Sequence, residues 1–352
     1  MNTDSFSRPP THRIHGGPDA SGVPAHDFST NSNACGPCDE VLQAVCAADA
    51  GTYPDPAYSA LRIQLAAFHG IDERRILLAG SSSEFIFRIS ALTALRGRDS
   101  RRAVWWPPHS YGDYAQAATA FGLPAAENPA DAGLALAWAC EPSSPLGSAD
   151  PYLAKLASGE APGATVLDCA YQPLRLSGEA TLSATRLDAV WQLFTPNKAL
   201  GLTGVRAAYA IAPAGDAFAE TSAALDRQCP SWPVGAHGVA MLLAWTNPSV
   251  QAWLAESVST LRTWKARQIA ICESLGWTCL PSDANFFCAR LPMGGDDLAA
   301  ALQNLRGQGI KLRDATSFGL PGHVRLGVLP PASQDALGLA WRTLSIGPGD
   351  AL

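Results

Sequence analysis

Apolar residues in this chain fall into short runs separated by longer stretches with helical spacing. Leu61, Leu65 and Phe68 recur at i, i+4 and i+7 and predict one helix with a single buried face, entered through the turn Tyr53-Pro54-Asp55-Pro56. The run 76–79 reads as a buried strand. Gly80-Ser81-Ser82-Ser83-Glu84 follows it, and Ser81 with Glu84 form a capping box for a helix that carries Phe85, Ile89 and Leu92 on its core face. Further strands are predicted at 103–106, 135–140, 164–168 and 189–194. A small-residue helix spans 236–245 and a long helix 250–276. Short strands follow around 285–289, 310–313 and 323–328.

Composition narrows what such a chain can do. Its 352 residues suggest two domains, and 47% hydrophobic against 16% charged residues supplies a large core. Only the first ~25 residues, rich in Pro, Ser and His, read as an extended arm. A net charge of −6 with no basic block gives no support to nucleic-acid or membrane-surface binding. The longest apolar run, Leu134 to Cys140, is too short to span a bilayer, and the polar N-terminal stretch has no signal-like apolar core. Nine irregularly spaced cysteines point to reduced thiols and a cytoplasmic protein. Cys35-Gly36-Pro37-Cys38 has the spacing of a thioredoxin-type redox site. It follows a polar, turn-rich stretch instead of a strand, which argues against that role and against a zinc site with His12 and His15. No metal is expected.

The chemistry centres on Phe194-Thr195-Pro196-Asn197-Lys198-Ala199-Leu200-Gly201-Leu202-Thr203-Gly204-Val205-Arg206. A lysine in a tight, partly apolar turn is poorly solvated as an ammonium, so the amine form needed for a Schiff base with an aldehyde becomes accessible. Arg206 supplies a fixed positive charge suited to a phosphate. Thirty residues upstream, the strand that ends at Asp168 places a carboxylate where α/β sheets put ligand-binding groups, with Tyr171 just after it.

In Asp168, Ala170, Tyr171, Lys198, Gly201, Gly204 and Arg206 the chain resembles the aspartate-aminotransferase superfamily, the fold type I pyridoxal-phosphate enzymes. The resemblance covers about residues 12 to 345. It implies an α/β fold: a large domain (46–248) with a mostly parallel seven-stranded sheet between helices, and a smaller α+β domain (249–352) to which part of the 1–45 arm belongs. It also implies pyridoxal 5′-phosphate as cofactor. Lys198 would hold it as a Schiff base, Asp168 would keep its ring nitrogen protonated, and Tyr171 would address its phenolic oxygen. Ser81, Ser82, Ser83, Thr195 and Arg206 would surround its phosphate at a helix N-terminus. Ser81 replaces a family glycine there.

Other family elements map with departures. Tyr111 fits the aromatic that stacks on the cofactor ring, with His109 as its rival. Glu141-Pro142-Ser143-Ser144-Pro145-Leu146-Gly147 occupies the place of N-P-x-N-P-T-G, so Ser144 stands where an asparagine usually binds the phenolic oxygen, and its shorter hydroxyl would address that oxygen instead. Tyr53 would cross a dimer interface to the neighbouring subunit's phosphate, which implies a homodimer. Arg325 matches the binder of the substrate carboxylate, and Arg313 matches an arginine that meets a distal phosphate. His15-Gly16-Gly17, with Asp27-Phe28-Ser29, resembles the arm that lies over the active site in threonine-phosphate decarboxylases of the cobalamin pathway. The implied substrate is a small amine, an amino acid or an amino-phosphate. Two reactions stay open on nearly the same residues: transamination of histidinol-phosphate type, which is preferred, and decarboxylation of threonine phosphate. A third possibility is a catalytically weak relative that binds the cofactor.

Overall fold

The computed structural model describes residues 15–96, 102–156 and 163–345; His12 of the zinc reading lies outside them. The apolar runs form a six-stranded sheet in the spatial order Ile76–Ala79, Ala208–Ile211, Trp191–Phe194, Ala164–Asp168, Leu134–Cys140, Ala103–Trp105. Ala208–Ile211 runs antiparallel to both of its neighbours, and the other adjacent pairs are parallel. Four-residue strands buried along their whole length, such as Ile76–Ala79 and Trp191–Phe194, are what a sheet covered on both faces requires.

Seven strands were expected, and six are found among the described residues. Beyond Ala103–Trp105 the chain makes a single parallel bridge, Val104 to Ala125. There Val104 N donates to the Pro124 carbonyl and Ala126 N to the Val104 carbonyl, both at 2.9 Å. Pro124 has no N–H to extend that ladder, so this edge stops at one bridge.

Two apolar layers cover the sheet. Leu61, Leu65, Met241, Leu242 and Val250 fill one side. Phe85, Ile89, Leu92 and Tyr114 fill the other, with Trp138 and Trp191 from the strands. The Ser82–Arg96 helix begins as its capping box predicts. Ser81 Oγ accepts from Glu84 N at 3.1 Å, and the Glu84 carboxylate reaches back to Gly80 N at 3.2 Å. The helix Ser59–His69 buries Leu61 and Leu65, but Phe68 is 38% exposed and departs from the expected buried face. Its ring instead helps wall an open cavity of about 670 Å³, beside His69 and Trp245.

Burial holds His69 at a pKa of about 4, below the usual 6.5, with Nε2 at 2.8 Å from the Tyr209 hydroxyl. The unfolded chain therefore takes up this proton first as pH falls, and stability is lost between about pH 6.5 and 4. The full loss is about 3 kcal/mol. Urea midpoints measured at pH 7 and 4.5 should differ more for the parent than for His69→Gln.

The C-terminal part carries its own core of Trp277, Phe287, Leu298, Leu326 and Trp341, joined by Phe28 from near the other end of the chain. Its four-stranded antiparallel sheet has the order Arg313–Asp314, His323–Gly327, Phe286–Arg290, Thr278–Cys279. The stretch predicted as one strand at 310–313 is broken at Leu312. Ile310–Lys311 pairs in parallel with His26–Asp27, and Arg313–Asp314 turns into the four-stranded sheet. The N-terminal segment thus pairs first with Ile310–Lys311 as a separate two-stranded sheet, and the Phe28 carbonyl then accepts from Gly327 N of the four-stranded one at 2.7 Å. The segment then enters the large core through the helix Asp39–Cys46, whose Val41 and Val45 are buried there. The long helix Pro248–Ser274 begins with proline at its first position, where a missing N–H costs nothing, and bridges the two cores.

Candidate active site

Asp168 and Lys198 both leave the sheet at the carboxyl ends of adjacent parallel strands. Asp168 is 4% exposed. One carboxylate oxygen accepts from Ala170 N at 2.9 Å, and the other accepts from the Tyr114 hydroxyl at 2.7 Å. Burial raises the Asp168 pKa, while the positive charge of Lys198 and the two hydrogen bonds pull it back. Lys198 Nζ lies 5.0 Å from the centre of the Tyr171 ring, which packs edge-on against Phe286 at 4.7 Å.

The lysine turn is clamped from outside. Asn33 N donates to the Lys198 carbonyl and Asn33 Nδ2 to the Ala199 carbonyl, both at 2.9 Å, and Cys38 N donates to the Leu200 carbonyl at 3.0 Å. Gly36 and Gly201 meet backbone to backbone: a Cβ on Gly201 would sit 3.0 Å from Gly36 Cα, and Gly201 has φ +71°. The Cys-Gly-Pro-Cys segment is therefore packing material for this turn. Its thiols are free, and burial raises the pKa of Cys35, contrary to the needs of a reactive thiolate. Gly201→Ala combines a left-handed backbone with a backbone clash. A loss of about 3 kcal/mol is expected, read as a lowered denaturant midpoint, with weaker cofactor retention because the displaced turn carries Lys198.

A small cavity of about 80 Å³ opens beside Lys198, lined by Ser81, Ser82, Thr195, Asn197, Arg206 and neighbours. Thr195 Oγ1 is buried there without a hydrogen-bond partner. The N-terminus of the Ser82–Arg96 helix borders the cavity, and exposed Arg206 stands at its rim. A buried hydroxyl lacking a partner, a helix N-terminus and an arginine around one small space fit a phosphate, and the carboxylate of Asp168 fits a protonated ring nitrogen. Gly80 is needed at this turn, since a Cβ would come within 2.9 Å of the Pro233 carbonyl.

The remaining expected residues lie around and beyond this cavity. The Ser83 hydroxyl faces the Tyr111 hydroxyl at 3.2 Å instead of lining the cavity. Of the two aromatic candidates, His109 is tied to the Phe318 carbonyl at 2.7 Å, whereas Tyr111 packs edge-on over Tyr114 at 5.8 Å. Burial pushes the Tyr111 phenol well above its ordinary value. Ser144 is buried, with its hydroxyl 3.4 Å from Arg325 Nη1. The His15 ring lies 6.3 Å from that of Tyr111. Tyr53 is absent from this cavity; it is 77% exposed and stacked on Trp232 at 4.4 Å.

Arg313 and Arg325 face each other across neighbouring strands, 5% and 7% exposed. Both guanidinium groups lie over the Phe318 ring, at 4.7 and 5.5 Å. Arg313 also donates to the Ser317 hydroxyl at 2.7 Å, and Arg325 to the Ser29 carbonyl at 3.0 Å. Burial, aided by Arg325, lowers the Arg313 pKa to about 10. Two buried like charges in register are unfavourable alone and suit a ligand with more than one negative oxygen.

Tyr114 escaped the sequence reading. Its signal is the i, i+3 spacing from Tyr111 at the start of the helix Gly112–Ala120, which turns its hydroxyl back under the sheet edge while its ring stacks on Trp138 at 4.6 Å.

With this geometry in place, residues 25–338 match the family model of aminotransferase class I and II. The chain belongs to that family, and it is a pyridoxal-phosphate-dependent aminotransferase. Histidinol-phosphate aminotransferase 2 of Caulobacter vibrioides is 30% identical over 335 residues, covering 88% of this chain and 84% of the relative. The crystal structure of histidinol-phosphate aminotransferase from Sinorhizobium meliloti in complex with pyridoxal-5′-phosphate shares the fold. It has a TM-score of 0.77 at 22% identity over 97% of this chain and 100% of that one. L-threonine-O-3-phosphate decarboxylase from Porphyromonas gingivalis also shares it, with a TM-score of 0.73 at 22% identity over 90% and 98% of the two chains. Among the described residues no helix is long and apolar enough to cross a membrane, and no cluster of metal-ligating side chains occurs.

Proposed function

We propose that this enzyme transaminates an amino acid or amino-phosphate of the histidinol-phosphate type, with Lys198 as both the cofactor's anchor and the proton carrier. The observation that carries this reading is the Lys198 turn opening on a phosphate-sized cavity that holds the unpartnered Thr195 hydroxyl. Pyridoxal phosphate supplies the electron sink that makes a bond at the substrate's Cα labile. Around it, Asp168 keeps the ring nitrogen protonated, held by Tyr114 and the Ala170 N–H. The freed Lys198 amine would remove the proton at the substrate's Cα and redeliver it. Arg325 orients the substrate carboxylate so that the bond to be broken is correctly aligned. Arg313 takes a second anion, either the substrate's phosphate or the distal carboxylate of the accepting keto acid. Tyr111 would cover the ring, with His15 beside Tyr111.

The exposed Tyr53–Trp232 stack supports a homodimer in which Tyr53 reaches the phosphate of the partner subunit. Large and small domains are divided near residue 248, and the enzyme works in the cytoplasm.

Incubation with pyridoxal phosphate should produce a visible absorption band, and borohydride should fix the cofactor on Lys198. Histidinol phosphate with 2-oxoglutarate should then yield glutamate. Release of CO₂ from O-phospho-threonine, without glutamate formation from either amine, would overturn the transaminase reading.

A further inference from the structure

In this chain Ser144, in the place of the family's asparagine, has its hydroxyl oxygen facing Arg325 Nη1 at 3.4 Å. The stretch that supplies it therefore offers no side-chain amide to the cofactor's phenolic oxygen. An amide comes to the same neighbourhood from the opposite end of the sequence. Asn31 is 2% exposed, and its Nδ2 lies 3.4 Å from the Tyr171 hydroxyl, with its Oδ1 buried and lacking a partner.

Both partners are held firmly. Asn285 Nδ2 donates to the carbonyls of Asn31 and Ser32 at 3.5 and 3.1 Å, and Asn33 is bonded to the Lys198 carbonyl. Tyr171 is fixed edge-on by Phe286. A phenol carries one proton and can accept at its lone pairs. Where an amide N–H occupies an accepting site, the O–H remains free to donate elsewhere, and it is a stronger donor for being polarised.

We propose that Asn31 is a positioning residue for the cofactor: its amide donates to the Tyr171 hydroxyl and so directs the Tyr171 proton onto the cofactor's phenolic oxygen, supplying from the N-terminal segment a side-chain amide that the Ser144 stretch lacks. Donation to that oxygen draws electron density from the chromophore the cofactor forms on Lys198 and weakens its hold on its proton. The inference rests on Lys198 carrying the cofactor and on Tyr171 facing the phenolic oxygen.

The test is a pH titration of the visible absorbance of the substrate-free holoenzyme. Asn31→Leu keeps the side-chain volume and removes the donor. It should raise the spectroscopic midpoint by about one unit, a 10-fold gain in proton affinity. Adding Ser144→Asn to that variant should bring the midpoint back towards the parent value. Asn31→Ala provides the same readout if the leucine variant does not fold. A midpoint unmoved by either Asn31 variant, while Tyr171→Phe shifts it, overturns the proposal. So does a change confined to KM, which would mean that Asn31 meets only substrate. A protein with no titrating band at all would instead sink the assignment of Lys198.

Discussion

Replacing Lys198 by alanine is expected to lower kcat by about 10⁴-fold or more, since on the proposed mechanism one substitution removes both the covalent anchor and the group that carries the proton at Cα. The fold should survive. The turn is held by its backbone, through the Lys198, Ala199 and Leu200 carbonyls, and the Lys198 side chain is only half-buried. Circular dichroism and denaturant midpoints should therefore stay close to the parent values. Pyridoxal phosphate should still bind, more weakly and without becoming reducible onto the protein. A variant that retains more than a tenth of the parent's turnover would remove Lys198 from the chemistry.

Asp168→Asn carries the second largest effect. Asparagine preserves the shape of the side chain and can still accept from Tyr114 or Ala170 N, but it cannot balance a positive charge on the ring nitrogen. A buried carboxylate stabilises that charge strongly because little water screens it. Loss of one such preorganised interaction costs roughly 10²–10³-fold in kcat. KM should change less, because Arg313 and Arg325, the proposed holders of the substrate, are untouched. The holoenzyme's visible band should also shift. If kcat falls less than 5-fold, the ring nitrogen does not rely on this carboxylate.

Much of the architecture could be read from local pattern. The buried runs around residues 76–79, 135–140, 164–168 and 189–194 became strands of one sheet because each is short and largely apolar. The Ser81–Glu84 capping box fixed the start of its helix for equally local reasons. The fold and the cofactor followed from a few motif residues around Asp168 and Lys198. What stayed hidden depends on contacts distant in sequence. Nothing near residue 312 reveals that the strand divides there, because the division is set by two different partners, His26–Asp27 and His323–Gly327. The contact of Tyr114 with Asp168 spans 54 residues, and that of Ser144 with Arg325 spans 181. Pro124 was visible as a residue, but its effect on strand number appears only once Val104 is known to lie beside it. Phe68 followed the helical stripe yet faces a cavity, because periodicity indicates which side of a helix is apolar and not what covers its last turn.

One short segment, residues 26 to 38, hydrogen-bonds near its start to Ile310–Lys311 and to Gly327 of the four-stranded sheet, and at its end to the carbonyls around Lys198. About a dozen residues thus form a strut from the smaller sheet to the reactive amine. Any swing of that sheet, were Arg313 and Arg325 to take hold of a substrate as proposed, would pull or push on the strut. Grip on the substrate's anions and aim of the nucleophile are then mechanically one event, transmitted through a stretch of chain that carries neither.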